Sequence, residues 1–182
     1  MPKRADLGKK LKDYLTLYPN EDVTINTMIQ FLNTYPDCFE RKNLKGHFTG
    51  SAWVIDDTRS WILMTHHRQL DLWVQPGGHA DGNENLLAVA INETKEETGL
   101  TQLRVISEEI FDLDIHEVPQ YKNIPKHFHY DIRFLLETNR NPNDIKISKE
   151  SFDVAWIHKN AVLQKNNDSS IKRMLNKISQ GT

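Results

Sequence analysis

Hydrophobic and polar positions alternate along this chain in two periods, and the change from one to the other divides it. Over the first forty-odd residues Leu7, Leu11, Tyr14, Leu15 and Tyr18 recur at helical spacing. Ile25, Met28, Ile29 and Leu32 do so again after Pro19-Asn20, which predicts two helices separated by a proline break. From about residue 46 the texture becomes short β-like runs. "HFTGSAWVID" and "SWILMTH" flank the turn-forming "DDTRS" and predict a hairpin. "LWVQPGGHADGNEN" predicts a short strand entering a glycine-rich, acidic loop, and a helix follows from Leu86 to Thr98, which Gly99 can end in a left-handed cap. "IFDLDIHEV" and "HFHYDIRFLLE" predict paired strands joined by "PQYKNIPK", and "FDVAWIH" one more. Residues 168–179 close the chain as a helix capped by Asp168 or Ser169, with Ile171, Met174, Leu175 and Ile178 on one face. Helices before, between and after strands predict a mixed α/β or α+β fold, a sheet covered by helices. Residues 1–44 are expected to be a helical extension packed on a core of residues 45–182.

Composition adjusts this picture only slightly. A chain of 182 residues suits one well-packed domain, and a formal net charge of -2 gives no broad footprint for nucleic acid or an acidic membrane. Cys38 is the only cysteine, so no internal disulfide and no thiolate metal cluster can form. No stretch approaches the roughly 20 apolar residues that a spanning helix requires, and no apolar run follows the basic N-terminus. A cytoplasmic setting is the expectation, and the sequence leaves a homodimer open.

The chemistry concentrates in "INETKEETGL". At about 100° per residue, and with Leu86 set to zero, Val89 falls near 300° and Ala90 near 40°. Glu93 then falls near 340°, Glu96 near 280° and Glu97 near 20°, so the carboxylates extend the apolar stripe instead of opposing it. Like charges at i,i+3 and i,i+4 in the last turns of a helix repel one another and oppose the macrodipole. A hard divalent cation, Mg²⁺ or Mn²⁺, is the simplest partner that would hold them there.

From Gly78 to Leu100, "GHADGNENLLAVAINETKEETGL" resembles the Nudix box, whose pattern is glycine, five residues, glutamate, seven residues, then arginine, glutamate, an apolar residue, any residue, two glutamates, any residue, glycine and an apolar residue. Gly78, Glu84, Glu93, Glu96, Glu97, Gly99 and Leu100 match in register, whereas Asn92 replaces the arginine and Thr94 the apolar residue. With "GHFTGSAWVI", "PGGHADG", "DIHEVP" and "HFHYDIRFLL" the chain is similar to bacterial Nudix hydrolases of unassigned substrate, over roughly residues 45–160. The resemblance implies an α/β/α sandwich around a mixed sheet, and metal-dependent hydrolysis of a pyrophosphate in a nucleoside diphosphate linked to another group, a small-molecule substrate. It implies that Glu93, Glu96 and Glu97 hold the metal with the Gly78 carbonyl, that Glu93 and Glu97 are catalytic, and that Glu84, Asn92 and Gly99 are structural. Family members take their general base either from the box or from an acidic residue of another loop.

Asn92 is the serious departure, since the family arginine is thought to hold the glutamates in position. Either Arg133 or Arg68 substitutes for it, or the domain binds a nucleotide without turning it over. Strand alternation puts His127, His129, Asp131 and Arg133 on one face of "KHFHYDIRF". That face is either solvated or borders the metal site, with Arg133 on phosphate and Asp131 as base or ligand. His79 could donate to a phosphate. His47, His66, His67 and His116 are scattered, and no His/Cys pair has the tight spacing of the usual zinc sites, so a dedicated zinc site is not expected. Trp53, Trp61, Trp73 and Trp156 read as core before they read as base-stacking platforms. The related isoprenoid diphosphate isomerase chemistry needs a cysteine in a matching motif, and Cys38 has none.

Overall fold

The computed structural model describes residues 3–120 and 122–180; Tyr121, inside the loop expected between the paired strands, lies outside the described residues. The order of elements is α1 (Lys3–Leu17), α2 (Asp22–Thr34), β1 (Gly46–Asp56), β2 (Trp61–His67), β3 (Leu72–Val74), β4 (Gly77–His79), α3 (Leu86–Thr98), β5 (Arg104–Val105), β6 (Asp112–Val118), β7 (His127–Thr138), β8 (Ser151–His158), α4 (Val162–Lys165) and α5 (Ser169–Ser179). Three elements escaped the sequence reading, β4 inside the glycine-rich loop, the two-residue β5 and the four-residue α4. All are too short for a period to show.

Two long strands organise the sheet. β1 and β7 run parallel from Gly46↔Phe128 to Asp56↔Thr138. The far edge of β1 is shared, antiparallel, by β4 at Thr49–Ser51 and by β2 at Val54 and Ile55. The far edge of β7 is likewise shared by β6, from Asp112↔Arg133 to Val118↔His127, and by β5. Each central strand thus leaves one partner midway and takes another, between residues 51 and 54 on β1 and between 133 and 136 on β7. Every residue of β1 is buried, as expected of a strand paired on both sides and covered on both faces.

The two faces carry separate cores. On one, Phe48, Ala52, Val54, Tyr130, Ile132 and Phe134 pack with residues of α1, α2 and α3; the Phe31 and Tyr130 rings stack with centroids 3.9 Å apart. On the other, Trp53, Ile55, Met64 and Leu135 pack with Val162, Ile171 and Met174 of α4 and α5. A layer of helices on each face of a mixed sheet is the α/β/α arrangement the resemblance implied. Leu7, Leu11, Ile25 and Met28 belong to the same cluster as the sheet, so the N-terminal helices share its core.

Candidate active site

The helix carrying the glutamates is fixed at both ends by its own sequence. The Asn85 side chain accepts from the Ala88 N–H at the start, and Gly99, at φ 76°, makes the left-handed cap at the end. Between them the wheel holds: Leu86, Val89, Ala90, Thr94, Glu97 and Thr98 are buried. Thr94, at the box's apolar position, fits that stripe because its hydroxyl donates 2.7 Å to the Ala90 carbonyl and leaves only its methyl to pack.

The three glutamates are not equivalent. Glu97 is 7% exposed, and its Oε2 is buried without a hydrogen-bond partner. Burial, reinforced by the charges of Glu93 and Glu150, pushes its pKa up to about 8. The Gly77 backbone offsets this only partly. Glu93 is half-buried and raised by burial and by Glu96, while Arg41 pulls the other way. Glu96 is exposed on the rim.

Glycine is required where β4 meets this helix. A Cβ on Gly78 would lie 2.4 Å from the Glu93 carboxyl, and one on its neighbour across the sheet, Gly50, 2.6 Å from the Leu86 carbonyl. The glycines therefore let β4 and β1 approach α3 closely enough to set the Glu93 carboxylate against the Gly78 backbone. Glu84 sits at the loop's far end, accepting the Arg4 backbone N–H at 3.0 Å.

Asn92 is exposed on α3. Neither cation expected to replace the family arginine stands at the glutamates. Arg68 lies over the Phe152 ring, 4.6 Å from its centroid. Arg133 is buried among aspartates, donating from Nε to Asp131 at 2.8 Å and from Nη1 to Asp112 at 3.1 Å. The guanidinium whose charge reaches Glu93 is Arg41, in the segment between α2 and β1, forked onto Asp81 of the glycine-rich loop. Sequence reading missed it because it lies outside the box and no local period marks it. Glu150, just before β8, was missed for the same reason; the backbone N–H of Arg68 holds its carbonyl at 2.8 Å.

The polar face of β7 divides in two. Asp131 and Arg133 are buried, so the solvated reading fails for them. The Asp131 Oδ1 accepts from Thr49 at 2.8 Å and Ser51 at 2.7 Å, and its Oδ2 from Arg133. Arg173 and Lys177 of α5 complete the cluster, each 2.7 Å from Asp112. These bonds occupy the groups that would otherwise serve a substrate. His127 and His129 lie instead beside His47 and His79, with neighbouring ring centroids 4.9–5.2 Å apart.

The NUDIX domain family matches residues 46–178, a span that contains the glycine-rich strand, the capped helix and the crowded carboxylates. The chain belongs to the Nudix family. Among similar Nudix proteins, the asymmetrical bis(5'-nucleosyl)-tetraphosphatase of Caenorhabditis elegans is 34% identical over 86 residues, 46% of this chain and 56% of that enzyme. The chain thus spans little more than half the length of that relative. A probable DHNTP pyrophosphohydrolase of Lactococcus lactis is 33% identical over 134 residues, 72% of this chain and 78% of the relative. The C. elegans Ap4A hydrolase crystal structure superposes with a TM-score of 0.59 at 22% identity, covering 73% of this chain and 95% of that one, and confirms the fold. The Nudix match begins at β1, so α1 and α2 precede it.

Proposed function

We propose that this Nudix protein hydrolyses a pyrophosphate bond in a nucleoside diphosphate linked to another group, with a hard divalent cation at Glu93, Glu96 and Glu97. The observation that carries the reading is the buried Glu97 carboxylate, whose Oε2 has no hydrogen-bond partner, beside a half-buried Glu93. Burying an unpaired carboxylate is costly, and an oxygen-seeking dication relieves that cost where a protein cation does not stand. The donor set is all oxygen, three carboxylates with the Gly78 backbone packed against Glu93, and its chemistry suits Mg²⁺ or Mn²⁺. Such an ion supplies charge to offset the diphosphate and acidifies a bound water.

The chain's own groups do the rest. Glu93, raised by burial and by Glu96, and the exposed Glu150, whose charge acts on both buried glutamates, are the two candidates to accept the proton of the attacking water. Arg41 takes over part of the work of the family arginine at Asn92 by steadying Glu93 electrostatically. His79, held neutral with its pKa lowered to about 4 by burial, can donate one hydrogen bond to a phosphate but brings no charge. Asp131 and Arg133 act as a buried brace instead of touching substrate.

The relatives suggest where to begin, since one is named for a dinucleoside tetraphosphate and another for DHNTP. A product-resolved screen with Mg²⁺ and Mn²⁺, over Ap4A, dihydroneopterin triphosphate, ADP-ribose, nucleotide sugars, oxidised nucleotides and capped RNA, should give metal-dependent cleavage that Glu97→Gln lowers by about 10²–10³-fold. Turnover undiminished in that variant refutes the mechanism. Asn92 favours a second reading, a nucleotide-binding domain without turnover; calorimetric binding of metal and nucleotide with no product would select it.

A further inference from the structure

Five of the chain's eight histidines, His47, His79, His116, His127 and His129, gather on the sheet face opposite α3. Register explains the gathering. His47 on β1 stands opposite His129 on β7, His127 lies two residues before His129 on the same face, and His116 on β6 is the antiparallel partner of His129. No tight spacing in sequence announces such a group, because its members come from four strands.

Three of them converge. Ligand nitrogens of His47, His127 and His129 lie within 4.8 Å of one another. Four nitrogens around a tetrahedral ion with metal–nitrogen bonds of about 2.0–2.1 Å sit about 3.4 Å apart, so small side-chain rotations close the set. The surroundings leave these rings in need of a partner. His47 is 3% exposed, and neither of its ring nitrogens has a hydrogen-bond partner. The His129 Nε2 is also buried without one. The His127 Nδ1 stands 2.9 Å from the Pro125 carbonyl, which takes the Nδ1 proton and leaves the Nε2 lone pair free, the outer-shell arrangement typical of a ligating histidine.

We propose that His47, His127 and His129 form a second metal site, for a borderline transition-metal dication of the Zn²⁺ class, separate from the carboxylate site. Ligand chemistry distinguishes the two: three imidazoles suit Zn²⁺, Co²⁺, Ni²⁺ or Cu²⁺, whereas carboxylates and carbonyls suit Mg²⁺ and Mn²⁺. Bound there, the ion fastens the start of β7 to the start of β1. The proposal runs against the expectation from sequence that the chain has no dedicated zinc site, and it gives His127 and His129 a role separate from the pyrophosphate site that their strand face was expected to border.

Zn²⁺ is titrated into metal-free, full-length protein carrying Glu93→Gln and Glu97→Gln, so that the carboxylates cannot compete. The expected result is one ion per chain. In that background His127→Gln and His129→Gln should each weaken binding by more than the roughly 10–100-fold that loss of an outer-shell partner costs. X-ray absorption on the zinc-loaded parent, which needs no histidine variant to fold, should show three imidazoles. Absence of zinc binding, affinity unchanged in both histidine variants, or a shell of oxygen alone overturns the proposal, and none of these results bears on pyrophosphate hydrolysis.

Discussion

Two groups of carboxylates in this protein have buried members, and their difference separates a site from a brace. Asp112, Asp114 and Asp131, with Glu21 nearby, are met by Arg133, Arg173 and Lys177, four anions to three cations within one network. There Asp131, although fully buried, has its pKa lowered: burial alone would raise it, and Arg133, His116 and the Ser51 hydroxyl outweigh burial. Glu93, Glu96, Glu97 and Glu150 crowd one another instead, and the guanidinium acting on Glu93 is already shared with Asp81. Burial therefore wins, and Glu97 is raised. A buried acid whose counter-charge the chain supplies is structural, and one left short marks where a cation from outside is expected.

The largest effect that would test this contrast is on stability. Replacing Asp112 with alanine strips Arg133, Arg173 and Lys177 of a shared partner and should cost about 3–5 kcal/mol in a denaturant titration. Glu97→Gln should do the opposite in kind, lowering turnover by about 10²–10³-fold while leaving the melting temperature of metal-free protein equal or higher. If Glu97→Gln instead destabilises that protein, Glu97 has a structural partner and the contrast fails.

The pH dependence of the two groups should have opposite signs. Asp131 has a lowered folded pKa, so its contribution is present above the unfolded carboxylate value and is lost as pH falls through the lower folded one, a window below about 4. Glu97 has a raised folded pKa, so stability without metal is full below about 4.5 and is lost as pH rises toward about 8. Melting curves of chelated protein across this range should show both slopes, and saturating Mg²⁺ should remove the upper one. The smallest effects concern Asn92. If Arg41 compensates for it, Asn92→Arg should change turnover by no more than about twofold. Arg41→Gln should lower it, with a cost near 1 kcal/mol, because the pair it makes with Asp81 is solvent-exposed. A large gain from Asn92→Arg would mean that nothing compensates for the lost arginine.

Most of the fold was legible because its signals are local. The helices at 3–17, 22–34, 86–98 and 169–179, the β1–β2 hairpin and the β6–β7 pair follow from period, turn residues and caps that neighbours in sequence supply. The crowding of Glu93, Glu96 and Glu97 was legible for the same reason, since one turn of helix brings them together whatever surrounds it. The alternation of β7 correctly put His127, His129, Asp131 and Arg133 on one face.

Which charges and lone pairs find partners follows from the packing of distant segments. That Asp131 and Arg133 close on each other, Asp112 and α5 depends on β6 and the C-terminal helix docking there. That Arg41 and Glu150 reach the box glutamates depends on two loops more than 100 residues apart in sequence, Arg41 before β1 and Glu150 before β8. That His47 meets His127 and His129 depends on the parallel register of β1 with β7, a pairing that needs a long crossover and that no local pattern encodes. Sequence fixes the residues and their local periods; long-range strand pairing and helix docking decide whether a buried polar group is satisfied, because burial and partner both arise only when distant segments pack.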